Sequence, residues 1–243
     1  MWYIAAAEPG AELFVGLRRG TTRARFEEAL ASGEVAGLLH QLPVRADDVV
    51  FVPSGRLHAI GGGNLIVEIQ QNSDTTYRVF DWDRASGGAP PRALHIAEAL
   101  QSIDFADFEP GLVRPEGESL LRTPEFAVAR WDLAAPRQAL EEPAAAIFYC
   151  LKGAVEMAGV EIKAGEFFLV PATAGAENFR PLAPATSLLR TPLPTRSAPP
   201  SARRPGTLRP DGPTPRIFPP SPSPRPPPTT PPPTPRPAPN RTP

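Results

Sequence analysis

The sequence predicts an all-β protein of two sandwich or barrel units followed by a disordered tail, and three observations lead there. Short runs rich in Val, Ile and Phe recur between Gly-, Pro- and Ala-rich turns, the pattern of a sandwich or barrel. VRADDVVFVPSGRLH (44–58) aligns without gaps against IKAGEFFLVPATAGA (162–176), so one turn-strand-Val-Pro element has been used twice. Finally, the composition changes at Thr191: the last 53 residues hold 22 of the 35 prolines, eight arginines, one aspartate and no lysine. So little apolar content cannot offset chain entropy, and the segment reads as disordered and partly polyproline II.

WYIAA and AELFVGL read as two strands around a turn at Pro9-Gly10. Thr21 or Thr22 caps a helix running to about Ala31, with Phe26, Ala29 and Leu30 on one face, and Ser32-Gly33 ends it. A second short helical piece is expected over Glu34 to Leu42 and a third over Arg92 to Ile103. Apolar runs at 49–52 and 65–69 flank the turn Pro53 to Gly55. Strands then follow at Ala127–Leu133, Ala146–Leu151, Val155–Met157, Phe167–Val170 and Thr186–Leu189.

Charge is divided unevenly. Eight arginines against one aspartate give the tail +7, and since the whole chain carries −1, residues 1–190 carry −8. An acidic body gives no support for nucleic-acid binding, while the tail's partner, if it has one, is unknown. Cys150 is the only cysteine, which excludes an intrachain disulfide and a cysteine-built zinc site. No apolar stretch reaches the roughly 18 residues of a membrane helix, and the start lacks the regions of a signal peptide. A soluble cytoplasmic protein is therefore expected.

One stretch reads as an active site. Residues 50–84 hold one histidine, four acids and three arginines in a strand-turn-strand pattern, with His58 at a hairpin mouth where its side chain can enter a barrel. In the second copy of the echo Ala176 stands where the first has His58, so any metal site belongs to the first barrel. Gly61, Gly62 and Gly63 precede a β-run rather than a helix start and read as turn glycines, not a phosphate loop.

MWYI, VPSGRLHAIGGG, EIQQNSDTTYRVFDWDR and RALHIAEAL together resemble the type I mannose-6-phosphate isomerases of the cupin superfamily, in their short bacterial form, over about residues 1–190. The resemblance implies two cupin (jelly-roll) barrels with a small helical insertion: the C-terminal part of a metal-site barrel over 1–105, a metal-free barrel over 106–190, and the tail over 191–243. It implies interconversion of mannose 6-phosphate and fructose 6-phosphate through a cis-enediol, with one zinc ion. Of the family's zinc ligands, a Gln-x-His pair, a glutamate before the MWY strand and the histidine of the GxxHA turn, only the last is present, as His58. The others would lie upstream of Met1, so the first barrel is expected to be N-terminally truncated. His40 and His95, both in expected helical segments, do not replace them.

Such an isomerisation needs a base, an electrophile and a phosphate anchor. Glu68 is the candidate acid/base, since alternation along VEIQ can turn it to the same face as Gln70; the competing account is a carboxylate bonded within the barrel. Arg78 matches the family's active-site arginine and suits a phosphate or enediolate, the competing account being an ion pair. Gln70 and Asp74 are expected beside the substrate, and Asp81, Asp83 and Arg84 at an ion-paired strand end. The second functional reading is a non-catalytic cupin that binds a sugar or a partner. Another metal-cupin reaction ranks last, because it needs several histidines in one barrel.

Overall fold

The computed structural model describes residues 1–73, 75–82, 90, 92–142 and 144–194. The Pro-rich tail beyond Pro194 lies outside the described residues. Six strands, β1 (Trp2–Ala7), β2 (Glu12–Leu17), β3 (Leu39–Pro43), β4 (Val49–Val50), β5 (His58–Ile60) and β6 (Asn64–Glu68), form two three-stranded antiparallel sheets in the orders β4-β1-β6 and β3-β2-β5. Nine more follow: β7 (Ser119–Arg122), β8 (Ala127–Leu133), β9 (Arg137–Gln138), β10 (Ala146–Lys152), β11 (Ala154–Met157), β12 (Val160–Lys163), β13 (Phe167–Val170), β14 (Asn178–Pro181) and β15 (Thr186–Pro192). They form a five-stranded sheet, β13-β10-β15-β8-β7, and a four-stranded sheet, β12-β11-β14-β9.

The uniform hydrophobicity of MWYI has a physical cause in this arrangement. Side chains alternate along a strand, and β1 is buried on both faces. Trp2 and Ile4 pack with Leu13, Val15, Leu42 and Val50 inside the first sandwich. Met1 and Tyr3, on the opposite face, pack with Val49, Val67, Leu120, Val128 and Leu189, which joins the first sandwich to the five-stranded sheet of the second. The second sandwich has its own core of Trp131, Phe148, Cys150, Val155, Phe179 and Leu188.

A helical layer covers the first sandwich. In α1 (Arg23–Ser32), the Thr22 side chain accepts from the Arg25 amide and Gly33 closes the helix in the left-handed region (φ 79°); these are the cap and stop expected from sequence. Phe26 and Ala29 pack with Leu17, Val35, Val79 and Ala99. The helix expected over 34–42 is instead a single 3-10 turn, Val35–Leu38, followed by β3, which places His40 in a strand rather than near a helix C-terminus. Pairing with β2 and burial of Leu39 and Leu42 outweigh local propensity there. Likewise α2 spans only Ile96–Ser102, with His95 at its N-cap. Ahead of it, Asp81 accepts from the backbone and guanidinium nitrogens of Arg92. Asp83 and Arg84, expected with Asp81 at an ion-paired strand end, lie outside the described residues.

The two copies of the echo share a turn. Arg45 donates its backbone N–H to the Asp48 carboxylate (2.8 Å), and at the equivalent positions Lys163 donates to Glu166 (2.7 Å). The residue before each of these acids is left-handed in both copies, Gly165 at φ 94° and Asp47 at φ 74°. An aspartate tolerates that conformation better than most residues, at some cost. Its side chain supplies a compensation the glycine cannot: Asp47 accepts from the Tyr3 hydroxyl and pairs with Arg130 (2.9 Å) and Lys152 (3.7 Å) of the second sandwich.

Burial works against the Asp47 charge, but the Tyr3 hydroxyl, Arg130 and Lys152 outweigh it and hold the carboxyl below its usual range. A depressed folded-state pKa adds stability above the unfolded value of about 3.9, and that stability is lost as pH falls through the folded value. Asp47→Asn keeps the left-handed preference and removes only the charge. The stability difference between wild type and Asp47→Asn, read by urea denaturation, is therefore expected to be constant above about pH 5 and to shrink below about pH 4. A difference that does not change with pH would show that the charge plays no part in joining the sandwiches.

Candidate active site

The two sheets of the first sandwich end in β5 and β6, each paired on one edge only among the described residues. Cross-strand partners share a face, so the pairing of Ile60 with Leu13 and of His58 with Val15 turns both side chains toward the sandwich interior. Ile60 is nevertheless 53% exposed, and His58 is exposed too. Among the described residues the interior is thus open along the β5–β6 side.

The turn before β5 places His58. Gly55 is left-handed (φ 86°), and an added Cβ would lie 3.0 Å from the Ser102 carbonyl, so the turn sits tightly against the end of α2. The His58 Nδ1 lies 2.8 Å from the Arg56 carbonyl oxygen. A carbonyl only accepts, so Nδ1 carries the proton and, in the neutral ring, Nε2 keeps its lone pair.

Glu68 ends β6 opposite Trp2 on β1, and the Trp2 indole N–H donates to its Oε1 at 3.0 Å. The same indole meets the His58 ring edge-on, with centroids 5.4 Å apart. Trp2, buried at 3% exposure, thereby touches both of the principal candidates. Sequence reasoning did not assign it a site role; its place in the MWYI motif was the available signal.

The other candidates are placed differently. Gln70 lies beyond the end of β6, and its amide donates to the Ser73 carbonyl beside a shallow cleft lined by residues 70–73. Asp74 lies outside the described residues. Arg78 lies outside any helix or strand, next to Val79, which is buried in the helical layer. His95 holds the Arg78 backbone at both ends: its N–H donates to the Arg78 carbonyl (2.7 Å) and its Nδ1 accepts from the Arg78 N–H (3.4 Å). Among the described residues no hydrogen bond or ion pair engages the Arg78 guanidinium, and none connects it to His58 or Glu68. Gly62 and Gly63 form the turn into β6, while Gly61 allows a close approach to β2, since an added Cβ there would lie 2.4 Å from the Glu12 carbonyl oxygen.

A zinc ion needs about three protein ligands in a catalytic site. Among the described residues no group of three or more His, Cys, Asp or Glu side chains can hold a metal. His58 alone does not fit the ion, and Cys150 is buried in the other core. No helix among the described residues is long and apolar enough to cross a membrane.

The tandem sandwiches, with a histidine at the open mouth of the first, define a protein of two cupin barrels. No family model matches the chain. It is 37% identical over 138 residues to the mannose-6-phosphate isomerase of Streptococcus mutans serotype c, covering 54% of this chain and 43% of that protein. The crystal structure of the mannose 6-phosphate isomerase from Bacillus subtilis matches with a TM-score of 0.66 at 27% identity, over 78% of this chain and 63% of that one. The enzyme from Salmonella typhimurium, bound to substrate and zinc, matches in fold alone, with a TM-score of 0.57 at 14% identity over 79% and 65% of the two chains. The chain is thus similar to mannose-6-phosphate isomerases in sequence and in fold. It spans about half the length of the curated relatives it matches, from 32% to 57%.

Proposed function

We propose that this chain is a mannose-6-phosphate isomerase-like protein of the cytoplasm whose first barrel carries the acid/base part of the site. The carrying observation is the Trp2 indole, which holds Glu68 by a hydrogen bond and contacts His58 at the open mouth of that barrel. With Oε1 engaged by the indole, the other carboxylate oxygen of Glu68 is the one to take the C2 proton of mannose 6-phosphate. Returning that proton to C1 of the enediol, while the hydroxyl proton on O2 passes to O1, gives fructose 6-phosphate. His58 offers Nε2 as an acceptor, Arg78 offers its guanidinium to the phosphate, and Gln70 and Asp74 complete the substrate side. The domain reading is a metal-site barrel over 1–105 and a metal-free barrel over 106–190, carried to Pro192 by β15. The tail follows, with no partner assigned.

A second reading, a cupin that binds a sugar or a partner without catalysis, is favoured by one specific observation: the described residues do not assemble a zinc site. The two separate by measuring zinc content and coupled isomerase turnover with mannose 6-phosphate, for wild type and His58→Ala. Stoichiometric zinc and turnover, both lost in the variant, are the expected signs of the isomerase. Absence of both in the wild type, with retained sugar-phosphate binding, would establish the second reading.

A further inference from the structure

We infer that Arg56 and Asp107 form a positioning pair that holds His58 in the Nδ1–H tautomer and turns its Nε2 lone pair to the open mouth of the first barrel. The inference deepens the proposed function and rests on His58 being a site residue.

Arg56 has every guanidinium nitrogen occupied. Nε and one terminal nitrogen grip the Asp107 carboxylate at 2.8 and 2.7 Å, and the other terminal nitrogen donates to the Phe51 carbonyl at 2.7 Å. Both side chains are largely withdrawn from water, at 16% and 15% exposure. Asp107 is itself anchored to β2, since its carbonyl accepts from the Leu17 N–H at 3.0 Å. Gly16 brings that strand close to the same loop: an added Cβ would lie 2.5 Å from Pro110. The Asp104 N–H donates to the Gly55 carbonyl at 2.9 Å, tying the turn to the loop a second time.

The consequence for His58 is geometric. Its Nδ1 partner is the backbone carbonyl of Arg56, so whatever fixes Arg56 fixes the direction of that acceptor. An ion pair withdrawn from water adds little net stability over apolar packing, whereas its planar two-point geometry restricts orientation strongly. A ring nitrogen bonded to a backbone carbonyl sets the tautomer of the whole imidazole.

The test is the His58 tautomer, read from the two ring nitrogens of the full chain labelled with 15N-histidine. The measurement is made at about pH 8.5, well above the usual imidazole pKa of about 6.5, with His58→Ala used to assign the signals. Wild type is expected to show Nδ1 protonated and Nε2 unprotonated. Arg56→Met and Asp107→Asn, with amide spectra otherwise retained, are expected to shift the ring nitrogens toward a mixture of tautomers. If Arg56→Met does not fold, Asp107→Asn carries the same test with a side chain of nearly the same shape. Arg56→Lys is expected to shift them too, because a lysine cannot reproduce the two-point grip. An Nε2–H ring in the wild type, or an unchanged Nδ1–H ring in the folded variants, would overturn the inference. The readout needs neither metal nor turnover, so an inactive chain would defeat the isomerase reading while leaving this one to be judged on its own result.

Discussion

Phe148→Ala is expected to lower the unfolding free energy by about 4 kcal/mol, with a fall in Tm of roughly 8–16 °C for a protein of this size. Phe148 sits on β10, between β13 and β15, and is fully buried. Its ring is T-shaped against Phe179 at 4.9 Å, stacked on Phe168 at 5.4 Å and tilted to Trp131 at 5.5 Å. Removing it leaves a void whose walls come from both sheets of the second sandwich, and such walls collapse poorly. Phe167 serves as a control, being 63% exposed and resting on Tyr149 at 4.4 Å. Its alanine variant is expected to cost about 1 kcal/mol or less. Urea denaturation of both variants checks the ordering, and equal losses would mean that the barrel does not close around Phe148.

The second large effect concerns the sugar-phosphate substrate proposed above. Arg78→Met is expected to weaken binding of mannose 6-phosphate about a hundredfold, the loss typical of a charge-assisted phosphate contact. His95 fixes the Arg78 backbone at both its N–H and its carbonyl, while the described residues leave the guanidinium uncommitted. A rigid mount for an unspent charge is what phosphate recognition requires. Arg78→Lys keeps the charge without the fork and is expected to fall between wild type and Arg78→Met. Isothermal titration with mannose 6-phosphate, and with mannose as the uncharged comparison, separates the phosphate contribution. Unchanged sugar-phosphate affinity in Arg78→Met would remove the arginine from the site.

Several features are legible in the order of residues, and each is local. Thr22 and Gly33 bracket α1 because a cap and a left-handed stop act within one helical turn. β8 runs over Ala127–Leu133 as expected, because its alternating apolar residues face a core. The regions where sequence and structure differ were decided elsewhere in the chain. Residues 39–43 are a strand because β2 offers hydrogen bonds and a core face. The short strands β7, β9, β12 and β14 carry too little pattern to stand out from their turns.

By itself, then, the sequence determined the all-β class, the duplicated turn-strand-Val-Pro element, the resemblance to mannose-6-phosphate isomerases and the choice of His58, Glu68 and Arg78 as the candidate site residues. These are legible because motif, periodicity and turn chemistry act over a few neighbouring positions. The tertiary structure alone decided that Trp2 touches both Glu68 and His58, that Asp47 reaches Arg130 and Lys152 across the two sandwiches, and that Arg56 grips Asp107 beneath the histidine turn. Each joins positions far apart in the chain, and no local preference encodes a partner that only the packing of complete sheets brings within hydrogen-bond reach.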